Sequence, residues 1–344
     1  MLYANPEDCL QKNKPSIRSR CEIMCKEGTL DELRLKAFGI DIAVRSPHND
    51  FLEFVNKNYR AFPGTDAGVS RIQVFFSDLH GEYARSLKDK DATIYWENEF
   101  GFTCRVTISD RGIWQVRGYH FNLLKTQTIE ARYRNYQRSM RWMIHFPLFI
   151  MLEREQNKGL LHASAVSKNG KALIFFGPNK AGKSGLCLSL AAKHGYQVMT
   201  DNFLLYDFRA VYGFPERSRV SPEMLSHINL PWPHSNYTVY KKYHMDIDEK
   251  QFALESMPNA FFFVRFGDQL SLSPASRDNF TVRIQETHDD LAEFPAYSFY
   301  GSPLRLRRQA NSLTVFDNVP VYDLIHPKTW ALDATVNEVL DRVD

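Results

Sequence analysis

The run Gly177-Pro178-Asn179-Lys180-Ala181-Gly182-Lys183-Ser184 limits what this chain can fold into more than any other stretch. It fits the pattern G-x-x-x-x-G-K-[ST] without a gap. An apolar run over 172–176 precedes it, and leucines at 186, 188 and 190 follow it. Strand, glycine loop and helix in that order describe a phosphate-binding unit. Gly177 and Gly182 let the backbone turn where a Cβ would clash. Successive N–H groups then converge on one concavity, and the positive end of the next helix points into it. The expected nucleotide contacts are Gly177, Asn179, Lys180, Ala181, Gly182, Lys183, Ser184 and Gly185. Lys183 reaches the outer phosphates as a point charge, and the Ser184 hydroxyl suits magnesium, a hard cation that prefers oxygen. Pro178 removes one N–H from the cradle. Lys180 either adds charge to the phosphates or faces water.

Elements on both sides extend this unit. Residues 160–166 read as a strand, and Lys168-Asn169-Gly170-Lys171 as a hairpin turn carrying the Asn-Gly signal. A helix is expected from 183 to 194, with Gly195 as its stop, then a strand over 197–200 ending at Asp201. Together these predict a βαβ unit. Before residue 157 the pattern differs. Strands are expected at 33–44, 69–76, 93–96, 102–108 and 112–119, in an antiparallel arrangement, with a helix at 49–60. A long buried helix, kinked at Pro147, is expected over 134–156 and ends at Asn157-Lys158-Gly159. The length of 344 residues accommodates two domains. The predicted class is therefore α/β: a mixed α+β domain over 1–156, then a P-loop domain over 157–344.

The balance of 43 basic against 40 acidic residues gives a net charge of +3 and no general reason to expect nucleic acid as partner. The run Arg305, Arg307, Arg308 reads as a solvated edge. Five cysteines, an odd number, fit reduced thiols and a cytoplasmic location. Cys21 and Cys25 lack a second ligand pair for zinc. The most apolar stretch, 142–152, is too short to span a bilayer, which needs about 20 residues, so no membrane association is expected.

Phosphoryl transfer needs a carboxylate to hold magnesium or to accept the proton of the attacking hydroxyl. Asp201 is placed for that, since its strand end faces the crevice of the loop in a parallel sheet. The other reading of Asp201 is a turn cap. His162 either packs in its apolar strand or reaches the phosphates from a strand beside the loop. Arg217, Arg219, Lys241 and Lys242 are candidates for the cation that offsets charge on the transferring group. Trp232, His234 and the tyrosines of 237–243 form either a binding wall or packing.

The run Leu161-His162-Ala163-Ser164-Ala165, the glycine loop, and Thr200-Asp201-Asn202 resemble the HPr serine kinase-like proteins. The resemblance covers roughly 155–330 and includes the run Asn318 to Leu324 as a closing strand. It implies a compact P-loop domain related to phosphoenolpyruvate carboxykinase, using ATP and Mg2+. It implies Asp201 as general base, His162 and Lys183 as catalytic residues, and Ser184 with Asp201 on the metal. It further implies a hydroxyl acceptor on a peptide, protein or small molecule, and assembly into a homo-oligomer. The chain departs from the family at Asn202, where a second acid is usual. A kinase is thus the first expectation. The alternative is a nucleotide-binding regulatory or accessory module without phosphotransfer.

Overall fold

The computed structural model describes residues 31–62, 64, 69–79, 94–97, 102–109, 111–121, 128–214, 216–239, 241–276, 280, 282–283, 316–328 and 332–343. Cys9, Cys21, Cys25 and the Arg305, Arg307, Arg308 run lie outside them. The chain is mixed α/β, built on two large sheets and a small one.

The first sheet takes β1 (Asp31–Ala37), β2 (Ile40–Ser46), β3 (Ile72–Leu79), β4 (Ile94–Glu97), β5 (Phe102–Ile108) and β6 (Trp114–Phe121). Their order is β1-β2-β3-β6-β5-β4. The expected single strand over 33–44 is in fact a hairpin. Phe38 (φ 51°) and Gly39 (φ 82°) make its two-residue turn, with Ala37 opposite Ile40. Phe38 hides the turn from sequence, because an aromatic continues the apolar pattern. The expected antiparallel arrangement holds for β1–β2, β4–β5 and β5–β6 but not for the middle of the sheet. Helix α1 (Asn49–Tyr59) and a connection follow β2, giving the chain room to return, so β2 and β3 pair in parallel, as do β3 and β6.

Helix α2 (Ile129–Met140) starts earlier than expected because Thr128 caps it, its hydroxyl accepting from the Ala131 N–H at 3.2 Å. It runs through a π turn, Arg141–His145, into α3 (Phe146–Gln156). Pro147 cannot donate to the ladder and its ring crowds the carbonyl four residues back. The wider π winding ahead of it accommodates both effects. Asn157 then stops the helix in the left-handed region (φ 52°).

The second sheet holds β7 (Gly159–His162), β8 (Ser164–Lys168), β9 (Lys171–Phe176), β10 (Gln197–Thr200), β11 (Phe203–Tyr206), β12 (Val211–Gly213), β16 (Glu255–Gly267), β17 (Ser271–Pro274) and β18 (Val321–Pro327). Strands β13 (Arg219–Val220), β14 (His234–Val239) and β15 (Lys242–Met245) make the small sheet. Helices α4 (Lys183–Lys193), α5 (Pro222–His227) and α6 (Asp333–Val343) complete this half. The expected strand over 160–166 breaks at Ala163. Its first part joins β11 at one edge, and its second joins β9 through the Asn169-Gly170 turn. The βαβ unit forms, with β9 and β10 parallel and α4 between them in sequence, but β8 lies between the two strands and runs antiparallel to both.

Strand β9 is apolar on both faces because both faces are covered. Leu173 and Phe175 pack toward α4, whereas Ile174 and Phe176 pack into a separate cluster with Phe261 and Phe316. A third cluster joins α1, the π turn and α3 to Leu160, Phe203, Leu205 and Phe214 of the second half. No helix among the described residues is long and apolar enough to cross a membrane.

Candidate nucleotide site

The glycine loop lies between β9 and α4 because the sheet forces it there. A Cβ on Gly177 (φ 140°) would lie 2.1 Å from the Val264 carbonyl oxygen of the neighbouring β16. A Cβ on Gly182 (φ 92°) would lie 2.8 Å from the His326 ring. The His326 Nε2–H donates to the Ala181 carbonyl at 2.9 Å and so fixes the loop to β18. Asn179 and Lys180 are exposed, and Lys180 is left-handed (φ 68°). Gly185 is buried, and a Cβ there would meet Leu332 of the segment before α6 at 2.9 Å, so its small size serves packing.

Helices α2 and α5 each have a side-chain cap, from Thr128 and Ser221, but α4 begins at Gly182 with none. The amides of its first turn, Lys183, Ser184 and Gly185, therefore lack a side-chain acceptor at the cap, which is how a helix end receives an anion. The Lys183 ammonium is 7% exposed and donates to the loop's own carbonyls, Gly177 O at 2.7 Å and Pro178 O at 3.0 Å.

Asp201 lies at the same edge. Because β8 opposes both β9 and β10, those two strands point the same way and end together. Ser164 of the intervening β8 lies opposite Phe175 of β9, and its hydroxyl donates to the Asp201 carbonyl at 2.9 Å and lies 3.3 Å from its Oδ1. Cys187, on the buried face of α4, feels both sides of this arrangement. Burial first, then Asp201, raises its thiol well above the usual range, against an opposing pull from Lys183. Cys187 is therefore a neutral, buried thiol.

His162 is placed differently from expectation. It ends β7 opposite Phe203 of β11, so its strand does not adjoin β9. It does sit beside the turn that carries Asp201 and Asn202, since Phe203 is the next residue after that turn. Of the four candidate cations, Arg217 is committed elsewhere. It is 3% exposed and donates to Asp246 at 2.6 Å and to the Tyr237 hydroxyl at 3.3 Å. Lys242 lies in the field of the site. Desolvation lowers its ammonium below the usual lysine range, Asp201 draws it back, and Arg219 and Lys180 oppose. The aromatic run splits: Trp232 is buried in a core cluster, whereas Tyr237 stacks on Tyr133 of α2 at 3.9 Å.

Glu216 is a further residue at this edge that the sequence does not single out. It is 1% exposed and accepts from Gln137 Nε2 (2.5 Å), Arg141 Nη2 (3.0 Å) and Asn202 Nδ2 (3.3 Å). Burial alone would raise its pKa, but Arg141 leads His145 and Arg219 in holding it down at about 2. No periodicity marks such a residue, because its partners come from α2, the π turn and the β10–β11 turn.

No group of three or more His, Cys, Asp or Glu side chains among the described residues is placed to hold a metal ion. Magnesium needs less than that: one or two protein oxygens, with phosphate oxygens and water for the rest. The Ser184 hydroxyl and the Asp201 carboxylate are oxygens of that kind. A cleft of about 350 Å³ lined by Lys36, Phe38, Phe62, Lys158 and Tyr212, among others, shares no residue with this site. Compared with known proteins, the chain matches no protein-family model, and no curated protein matches its sequence.

Proposed function

We propose that the chain is an ATP-dependent kinase that transfers the γ-phosphoryl group to a hydroxyl of a peptide, protein or small molecule. The observation that carries this reading is the shared edge. The glycine loop follows β9 and Asp201 follows β10, two strands that run the same way on either side of β8, whose Ser164 donates to Asp201. Residues 157–344 are then an HPr serine kinase-like P-loop domain, and 1–156 an α+β domain packed against it. The first-turn amides of α4 take the phosphates, and Lys183 gives up a loop carbonyl to meet their charge. Ser184 and Asp201 would hold magnesium, which would neutralise charge on the transferring group. The acceptor oxygen bonds to the γ-phosphorus as the bond to the bridging oxygen breaks, and Asp201 takes the hydroxyl proton. Lys242, which feels both Asp201 and Lys180, and its neighbour in that field, Arg219, are the candidates to offset the charge of the transferring group. Because His162 flanks the Asp201 turn and not the loop, its part is to support that turn.

The test is mass spectrometry of peptide and metabolite pools incubated with the protein and Mg-ATP. A gain of about 80 Da on one component, lost with Lys183→Ala, is the expected result. Asp201→Asn is expected to keep its metal-free ATP affinity and to lower transfer by about 100-fold or more. Unchanged turnover in that variant would remove Asp201 from the chemistry. Asn202, in place of a second acid, favours the other reading, a regulatory module whose partner affinity follows nucleotide occupancy. Nucleotide binding without a phosphorylated product in any pool would select it.

A further inference from the structure

The turn that carries Asp201 is held from the other half of the molecule. Thr200 Oγ1 accepts from the backbone N–H groups of Asn202 (3.3 Å) and Phe203 (3.1 Å), which fixes the turn's backbone. The Asn202 side chain is fixed by Glu216. A carboxylate can only accept, so the Asn202 atom facing Glu216 Oε2 at 3.3 Å is the amide nitrogen. The amide oxygen therefore points away. It accepts no hydrogen bond from a described residue, and Asn202 is only half-buried. Glu216 is oriented in turn by Gln137 of α2 and Arg141 of the π turn.

We propose that Glu216 is a positioning residue that orients the Asn202 amide oxygen as a neutral ligand for the magnesium of the nucleotide complex. This rests on the kinase reading's Mg-nucleotide site but not on phosphoryl transfer. It also explains the missing second acid. An aspartate at 202 would set a second carboxylate against Glu216, and like charges at hydrogen-bond distance repel. An asparagine can instead donate to Glu216 and still offer an oxygen to a hard cation. The chain thus keeps an oxygen ligand at that position without a second negative charge, and residues of α2 and the π turn help set its direction.

The test titrates Mg2+ against ATP binding to the full chain by calorimetry, and separately measures ATP affinity without Mg2+. Asn202→Ala is expected to raise the half-saturating Mg2+ about 10-fold, with metal-free ATP affinity unchanged. Glu216→Gln is expected to raise it in the same direction, because a glutamine no longer dictates which amide atom faces it. The double variant is expected to match Asn202→Ala alone, since both changes act on one ligand. Asn202→Asp is expected to bind Mg-ATP poorly by itself and to recover when combined with Glu216→Gln. An unchanged Mg2+ requirement in Asn202→Ala overturns the proposal even if Glu216→Gln fails to fold. So does a double variant whose effect is the product of the two singles. If the unaltered protein bound no nucleotide at all, the kinase reading and this proposal would fall together. If it bound Mg-ATP with these variants silent, the proposal alone would fall.

Discussion

His145 is an unusual buried residue. It is fully enclosed, and neither ring nitrogen has a hydrogen-bond partner among the described residues. Tyr59, Phe149, Phe203 and Phe214 surround it, with Phe214 at a ring distance of 4.8 Å. Burial lowers its pKa from 6.5 to about 3. The folded state therefore stays unprotonated where the unfolded chain takes up a proton, and stability drains as pH falls below 6.5. The slope from this one group is about 1.4 kcal/mol per pH unit. Glu216, depressed from 4.5 to about 2, adds a loss of the same sign below pH 4.5. Guanidinium midpoints at pH 7, 6 and 5 measure the first effect. His145→Phe is expected to be neutral or stabilising by about 1 kcal/mol at pH 7, because it removes two unsatisfied atoms. It should also flatten the slope between pH 6.5 and 5. A variant with the slope of the unaltered protein would show that His145 is not the group that titrates.

At the scale of elements, the boundaries depend on a few backbone positions. Asn157 ends α3 with a φ of 52°, which a glycine adopts freely and an alanine resists. Asn157→Gly is expected to be nearly neutral, and Asn157→Ala to cost about 1 kcal/mol, read from chemical denaturation. A similar cost for both would place the residue's role in its side chain. Gly177 is a harsher case, because the Val264 carbonyl occupies the place of its Cβ. Gly177→Ala must push β16 and the loop apart. It is expected to cost about 3 kcal/mol and to abolish nucleotide binding, which thermal melts with and without Mg-ATP would reveal. These constraints were partly legible. The Asn169-Gly170 turn and the motif glycines stand out in the sequence, whereas the Phe38-Gly39 turn does not. The break at Ala163 carries no local signal, because it arises from which strand each half pairs with.

At the scale of the molecule, the two halves share an apolar cluster. Phe214 of the second half packs against Phe38, Tyr59, Phe62 and Phe149 of the first. Arg217 repeats the connection in polar form, its N–H donating to Asn58 of α1 at 3.4 Å. Phe214→Ala is expected to cost about 3–5 kcal/mol and to destabilise both halves equally. Single-tryptophan variants retaining Trp114 of the first half or Trp232 of the second half would report one coincident transition. Two separated transitions would show that the shared cluster does not couple the halves.

Short-range chemistry accounts for what the sequence determined by itself. The strand, glycine loop and helix from Ala172 to Lys193, the Asn-Gly hairpin and the Asn157 helix stop each depend on neighbours a few residues apart, where spacing is enough. The tertiary structure decided the rest. It split 160–166 between two edges of a sheet, inserted β8 between β9 and β10, and placed His162 opposite Phe203. It took Arg217 out of the candidate site and brought Glu216 to Asn202. Those outcomes turn on strand pairing and on buried charges finding partners as many as 79 residues away, as Gln137 and Glu216 do. Such contacts are chosen by the energy of the whole packed molecule, and no local pattern along the chain records them.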